Sequence, residues 1–368
     1  MKDKEGIKHY TTLQKFKKNF WGVFSLCYLL LCFLLAVFSY AIAPDKSRNA
    51  NQMHLSIHSQ APGFKVQMLQ VDVGENDNQL SSFFLGSRAA NSYIPINDFK
   101  VENDRLIVHE YTDAGPGQEL YFSLEDFPEL SSLEQVESKY IKEQRFLLGT
   151  DKFGRDLWSR ILIGTRISLG VGAIAVGISL ILGITLGAVA GYFGGVADKI
   201  IMWLINVTWS IPTLLLVIAL TLALGRGVWQ VFLAVGLTMW VEVARVVRGQ
   251  VLSIKNMQYV TAAKALGYNH FRILIKHVLP NALAPVIIIS AANFASAILV
   301  ESGLSFLGIG AQPPMPSWGG IIKDHYHYVF LGKPYLALIP GIAIMSLVTA
   351  FMLLGNALRD VLDVRNTK

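Results

Sequence analysis

The sequence predicts an all-α polytopic membrane protein with six transmembrane helices and a small β-rich extracytoplasmic insertion after helix 1. Three observations predict it. Of the 368 residues, 52% are hydrophobic and only 16% charged, against about 25% charged in ordinary soluble domains, and the mean hydropathy is +0.43. Six apolar stretches approach or exceed the ~20 residues a bilayer crossing needs: Phe20–Ala43, Ser168–Tyr192, Ile200–Leu222, Val228–Val241, Ala282–Val300 and Tyr335–Leu358. Between the first two lies Pro44–Gly149, with 16 acidic and nine basic residues, a balance of −7 in a chain whose net charge is +6.

Taken in order, residues 1–19 form a tail carrying Lys2, Lys4, Lys8, Lys15, Lys17 and Lys18. Lysines flanking a span stay on the cytoplasmic side, so the N-terminus is expected there. The first span, 20–43, ends in Ala41-Ile42-Ala43, small residues like those of a signal-peptide cleavage site. Its apolar run is longer than the ~7–15 residues of a signal-peptide core, which favours a retained anchor. Cys27 and Cys32 lie inside it. Two cysteines are too few for a zinc site or a disulfide framework and act here as small hydrophobes.

Residues 44–149 read as a soluble insertion on the outer side. Val66–Val71, Tyr93–Ile96, Lys100–Val101, Leu106–Val108 and Glu119–Ser123 have the apolar and aromatic content of strands. Glu102-Asn103-Asp104 fits a hairpin turn. The acidity is that of a solvated face, with recruitment of a partner as the alternative. His54, His58 and His109 are scattered and have no metal-ligand spacing. Residues 150–167 follow as an interfacial amphipathic segment: Leu157, Trp158, Ile161 and Leu162 on one side, Arg155, Arg160 and Arg166 on the other, with the Trp at headgroup level.

Residues 168–358 hold the five remaining helices, and 359–368 a second tail. No Asp, Glu, Lys or Arg falls within the limits of the six spans; Glu242, Arg245 and Glu301 sit just at their ends, and the fourth span, short as written, is expected to extend into Val243–Val247. Alternating sides from a cytoplasmic N-terminus places Ala43–Arg166, Gly225–Gly227 and Leu304–Pro334 outside. It leaves Gly194–Lys199, Arg245–Pro280 and the C-terminus inside, where basic residues gather. Gly183, Gly187 and Gly191 recur every fourth residue, a spacing that lets two membrane helices pack closely, unless it reflects only the glycine content of membrane helices.

The loop of about 253–280 between spans four and five is the most informative. Tyr259, Ala262, Ala263 and Leu266 sit at i, i+3, i+4 and i+7, one face of a helix. Gly267 tolerates the left-handed conformation that closes a helix, and Asn269 can cap a second one. Phe271, Leu274, Ile275 and Val278 repeat the spacing until Pro280 ends it. Lys255, Lys264, Arg272 and Lys276 flank this helix–glycine–helix elbow. By periodicity it lies on the anionic inner leaflet of membrane lipid or faces a partner protein; nothing in it suggests nucleic acid.

Ala262-Ala263, Gly267 and Leu279-Pro280 together resemble the EAA loop of ABC importer permeases, although Thr261 stands where that motif has Glu and His277 where it has Ile. Leu148–Asp156 with Gly164–Leu169, and Glu301–Gly308 with Gln312-Pro313-Pro314 and Pro316–Gly319, resemble segments of the DppC/OppC type of permease of peptide and nickel importers. The likeness runs from about Leu148 to Arg359 and leaves the insertion out. It implies the ABC type-1 importer permease fold in a bacterial inner membrane. It implies no catalytic residue and no cofactor, with ATP used by two ABC ATPase subunits. A second homologous, DppB/OppB-like permease and an extracytoplasmic substrate-binding protein would complete the system. Tyr259, Thr261, Ala262, Ala263, Leu266, Gly267, Leu279 and Pro280 would couple to the ATPase. Glu301, Gly303 and Trp318 would line the pore or outer gate, with Glu301 alternatively a solvated helix end.

The chain carries no Walker A motif, since Gly332-Lys333 lacks the preceding glycine and runs into Pro334. It is therefore expected to be a non-catalytic subunit passing di- or oligopeptides, with nickel or another small solute as alternatives. A membrane-anchored sensor or assembly protein would leave the elbow unexplained. An ion-coupled secondary transporter would place ionisable groups within its spans.

Overall fold

The computed structural model describes residues 12–72, 83, 86, 87, 92–102, 105–113, 115–127, 135–225 and 227–362. Lys2, Lys4 and Lys8, the Asn103-Asp104 turn, Arg226 of the 225–227 loop and most of the second tail lie outside them. The principal helices begin with α1 Phe20–Val37, α2 Leu157–Phe193, α3 Gly195–Ser210, α4 Thr213–Leu224 and α5 Val228–Ile254. Then come α6 Gln258–Ala265, α7 His270–Ile273, α8 Leu279–Phe306, α9 Trp318–His325 and α10 Tyr335–Leu362. Among the described residues, five helical stretches are long and apolar enough to cross a membrane, or six if α3 and α4 count as one broken span.

Three expected boundaries are corrected. The segment 150–167 is not a separate interfacial helix: α2 runs unbroken from Leu157, because no proline interrupts it. The third span is not straight. Its two halves meet at 96°, since Pro212 forces the preceding Ile211 into extended backbone (φ −98°, ψ 128°) by clashing with a helical neighbour. The fourth span runs beyond the expected extension into Val243–Val247 as far as Ile254, so Glu242 and Arg245 lie mid-helix.

Contacts divide the chain into two compact units. The first comprises Met1–Cys32, Ser168–Gln312 and Ile344–Lys368. Its core is the packing of α2 on α5. A Cβ on Gly183 would lie 2.5 Å from Val243 Cβ, one on Gly187 2.4 Å from the Ala244 carbonyl, and one on Gly191 2.9 Å from the Arg248 carbonyl. Only glycine admits α5 that closely, and dispersion over the shared surface holds it there. Ala188, Val243, Val247 and Val251 continue this core into the residues after α5.

The second unit, Phe33–Ile167 with Pro313–Ala343, contains an antiparallel five-stranded sheet in the order β4-β3-β2-β1-β5. The strands are β1 Phe64–Asp72, β2 Ser92–Glu102, β3 Arg105–Thr112, β4 Gly115–Phe122 and β5 Ile141–Phe146. Side chains alternate across a strand, and β1 is covered on both faces. Val66 and Met68 pack with Ile57 and Phe146, while Leu69 packs with Ile96, Leu106, Val108 and Phe127. Asp98, Glu102, Glu119 and Glu143 on the strands are exposed, whereas Asp45 is buried. His58 is exposed and His54 half-buried, and the His109 ring bonds Asp98 with Glu119 3.4 Å away.

Arg155 and Arg160, expected at the lipid headgroups, are buried instead. Asp151 accepts the Arg155 N–H and the Arg155 Nε (3.1 and 2.7 Å), and Arg160 Nε lies 3.6 Å from the same carboxylate. Arg155 also donates to Asn51 Oδ1 at 2.9 Å. Three buried charges stand together only because they pair, and they staple the residues before α2 to the 50–60 loop. Burial pushes the neighbouring Asp156 carboxyl up, partly offset by the Ser159 hydroxyl and N–H.

Candidate functional site

The elbow is built by two capping devices. At the end of α6, Gly267 takes φ +76°, a conformation cheap only for glycine. Its N–H donates to the Lys264 carbonyl (3.0 Å) and the Tyr268 N–H to the Ala263 carbonyl (3.2 Å). These paired bonds are a Schellman closure, which satisfies carbonyls a helix end leaves open. Asn269 Oδ1 then accepts the Arg272 N–H (2.7 Å) and starts α7. Tyr268 fills the corner, with the Arg272 guanidinium 4.2 Å from its ring centre and the His277 ring stacked at 6.0 Å.

Pro280 does not end this helix. α7 passes through a π-helical turn, Leu274–Val278, directly into α8. The wider turn accommodates the proline, which has no N–H to give the preceding turn. Asn281 Nδ2 adds a side-chain donor in the same turn, bonding the His277 carbonyl at 2.8 Å. The elbow and the fifth span are thus one rigid piece.

The apolar stripe divides differently from the expected one. Val260, Ala263, Ile273, Leu274 and Val278 are buried against Val247, Val251 and Ile254 of α5. Tyr259, Leu266, Phe271 and Ile275 remain exposed, Leu266 at 73% and Phe271 at 71%. Thr261 and Pro280 are exposed, Ala262 also, and Leu279 is half-buried. Periodicity merges two faces into one and misses Val260 and Ile273. Their i−3 and i−5 relation to Ala263 and Val278 is the available signal. Three polar contacts tie the elbow's root to its surroundings. Tyr192 OH bonds His270 Nδ1 (3.0 Å), Lys255 Nζ donates to the Gly191 carbonyl (2.8 Å), and Arg248 pairs with Asp198.

The other predicted residues are dispersed. Glu301 is not a solvated helix end: it is 1% exposed and accepts a 2.7 Å hydrogen bond from Ser305 Oγ one turn on. A Cβ on Gly303 would meet nothing within 4 Å. Trp318 is buried in the second unit, where its Nε1–H donates to the Ile161 carbonyl (3.0 Å) and its ring lies over Gly164.

Residues 183–368 match the family described as binding-protein-dependent transport system inner membrane component. The chain belongs to that family. Curated relatives agree. The glutathione transport system permease protein GsiD of Pectobacterium atrosepticum is 41% identical over 216 residues, 59% of this chain and 71% of that protein. The dipeptide transport system permease protein DppC of Bacillus subtilis is 43% identical over 215 residues, 58% and 67% of the two chains. The oligopeptide transport system permease protein OppC of Bacillus subtilis is 36% identical over 220, 60% and 72%. Among solved structures, an inward-facing MetNI methionine ABC transporter gives a TM-score of 0.46 at 18% identity, over 55% of this chain and 95% of that chain.

For an inner membrane component of a binding-protein-dependent transport system, the match has a telling extent. It takes in the glycine stripe, the elbow and Glu301, and it begins after the sheet. Membership also replaces an argument that the structure weakens. The sequence disfavours an ion-coupled carrier because no ionisable group lies inside a predicted span, whereas Glu242 does lie inside α5. The family, not that absence, decides the class.

Proposed function

We propose that this inner membrane component is the permease subunit that forms half of a peptide pathway in an ATP-driven importer. The elbow is its coupling piece. One observation carries this reading: a rigid elbow, closed by Gly267 and continuous with α8, is buried on one face and presents Leu266 and Phe271 on the other. Large exposed apolar residues on a rigid protrusion mark a protein interface. Di- or oligopeptides are the substrate class named for the relatives, and that naming supports the same class here.

In this reading α3 and α4 make one crossing, so six spans place both termini and the elbow in the cytoplasm and residues 44–149 outside. Two ATPases, a second homologous permease and an extracytoplasmic binding protein complete the system. Tyr259, Thr261, Ala262, Leu266 and Gly267 face the ATPase, with Ala263, Leu279 and Pro280 seating the elbow behind them. Glu301 and Gly303 belong to the outer end of the pathway, and Trp318 braces the start of α2 without lining a pore. Full-length chain expressed with its neighbouring genes and purified in mild detergent is expected to bring down an ATP-hydrolysing subunit. A homogeneous preparation without one overturns the proposal.

A further inference from the structure

Within the first unit, the bend between α3 and α4 opens a cavity of about 230 Å³ against α5 and α8. Thr208, Thr213, Thr238, Ser296 and Glu242 contribute its polar lining, and Trp209 stands at its side. A carboxylate in the middle of an apolar span is costly unless it faces a watered or ligand-filled cavity. Glu242 has no hydrogen-bond or ion-pair partner among the described residues. Arg245, one turn on, stacks its guanidinium 3.8 Å from the centre of the Trp209 ring, which is part of the lining, and makes no ion pair with Glu242.

The lining has a direction. Thr208 Oγ1 donates its proton to the Leu204 carbonyl (2.9 Å) and Thr238 Oγ1 to the Val235 carbonyl (2.8 Å). Each hydroxyl retains only its capacity to accept. With the carboxylate, the cavity therefore offers a surplus of acceptors and one full negative charge. The helix ends meeting at the bend, the C-terminus of α3 and the N-terminus of α4, contribute partial charges of opposite sign. They cancel to first order, which leaves Glu242 as the charged group among the lining residues, with the Arg245 guanidinium behind the Trp209 ring.

The geometry points to a transit site for a primary ammonium group, the amino terminus of a peptide, with Glu242 as counter-ion and Thr208 and Thr238 as hydrogen-bond acceptors. This rests on the peptide-permease reading above and adds a site to it. It is tested in the complete transporter reconstituted in proteoliposomes with its binding protein, using trialanine and N-acetyl-trialanine as probes. Glu242→Gln is expected to lower trialanine uptake about tenfold or more, the loss of one charge-assisted hydrogen bond, while subunit assembly and binding-protein-stimulated ATP hydrolysis persist. Glu242→Asp is expected to recover most of the uptake.

A direct readout accompanies it. Trialanine added to the detergent-solubilised complex is expected to change the fluorescence component that Trp209→Phe removes, and N-acetyl-trialanine is not. Equal uptake by wild type and Glu242→Gln, or an equal response to both probes, overturns the site while leaving the permease reading intact. Failure of Glu242→Gln to assemble overturns it as well, by making Glu242 a subunit contact. No peptide uptake by the wild type overturns both.

Discussion

Arg248 grips Asp198 with two parallel hydrogen bonds, Nε to Oδ1 at 2.5 Å and Nη2 to Oδ2 at 2.7 Å. The pair joins the first turn of α3 to the last third of α5, at the same residue whose carbonyl Gly191 approaches. Both side chains are about a quarter exposed, so solvent screening leaves roughly 1 kcal/mol. Arg248→Ala is expected to lower the detergent melting temperature by about 2–4 °C. Arg248→Lys, which keeps the charge and loses the fork, should fall between. A double-mutant cycle with Asp198→Asn reads the coupling, and strictly additive losses would show that the pair does not hold α3 to α5.

The glycine stripe makes a sharper contrast, because Gly187 and Gly177 lie on the same helix. Gly187→Ala sets a Cβ 2.4 Å from the Ala244 carbonyl oxygen and 2.9 Å from Val247 Cβ. The first obstacle is backbone and cannot swing away. Overpacking of this kind costs ~1–3 kcal/mol, more than the ~1 kcal/mol alanine gains over glycine in a helix. Gly177→Ala meets nothing within 4 Å and should be neutral or mildly stabilising. Thermal melts of the two variants in one detergent settle the matter: equal melting temperatures would deny the close approach of α2 and α5.

Periodicity and single residues encode the legible part of this fold. Apolar runs locate the membrane helices, Gly267 marks the elbow's corner, and Asn269 its second cap, since each is a local property. The failures share a cause. Pro212 sits inside an apolar run, and hydropathy does not register that a residue before proline leaves the helix. Pro280 reads as a stop, yet a π turn absorbs it. The fourth span reads as ending by Val247, whereas packing carries the helix on to Ile254. Arg155 and Arg160 look interfacial because their partner Asp151 is visible only once the chain has folded. Burial of charge and continuity through proline are tertiary facts.

The second unit carries a titratable group that tests this packing. His325 is fully buried. Its Nδ1–H donates to the Ile321 carbonyl (2.7 Å) and its Nε2 accepts the Lys152 N–H (3.2 Å), the neutral tautomer. Burial lowers its pKa below the usual 6.5, opposed by the Ile321 bond and by Asp151 and Asp324. With the folded value below the unfolded one, stability is complete above about pH 6.5. It declines as pH falls toward the folded value, by at most ~1.4 kcal/mol per unit. His54, also lowered by burial, acts in the same direction. His325→Gln should therefore flatten part of the melting-temperature decline between pH 7 and 5; an unchanged profile would mean that the ring is not held neutral.

The proposed docking face yields the prediction with the widest separation between stability and function. Leu266 is 73% exposed, so Leu266→Asp should leave the chain's own stability within about 0.5 kcal/mol. At an interface the same change forfeits ~1.5–3 kcal/mol of apolar burial and adds the cost of burying a carboxylate. Co-purified ATPase should fall by about tenfold or more. Gly267→Ala acts otherwise: it keeps the surface and strains the corner, since φ +76° costs a residue with a Cβ about 1–2 kcal/mol. That variant should retain the ATPase and transport more slowly per ATP hydrolysed. Measuring bound ATPase and the transport-to-hydrolysis ratio separates the two. If both variants behave as wild type in both measurements, the elbow is a passive turn lying on lipid, and coupling must pass through another cytoplasmic surface.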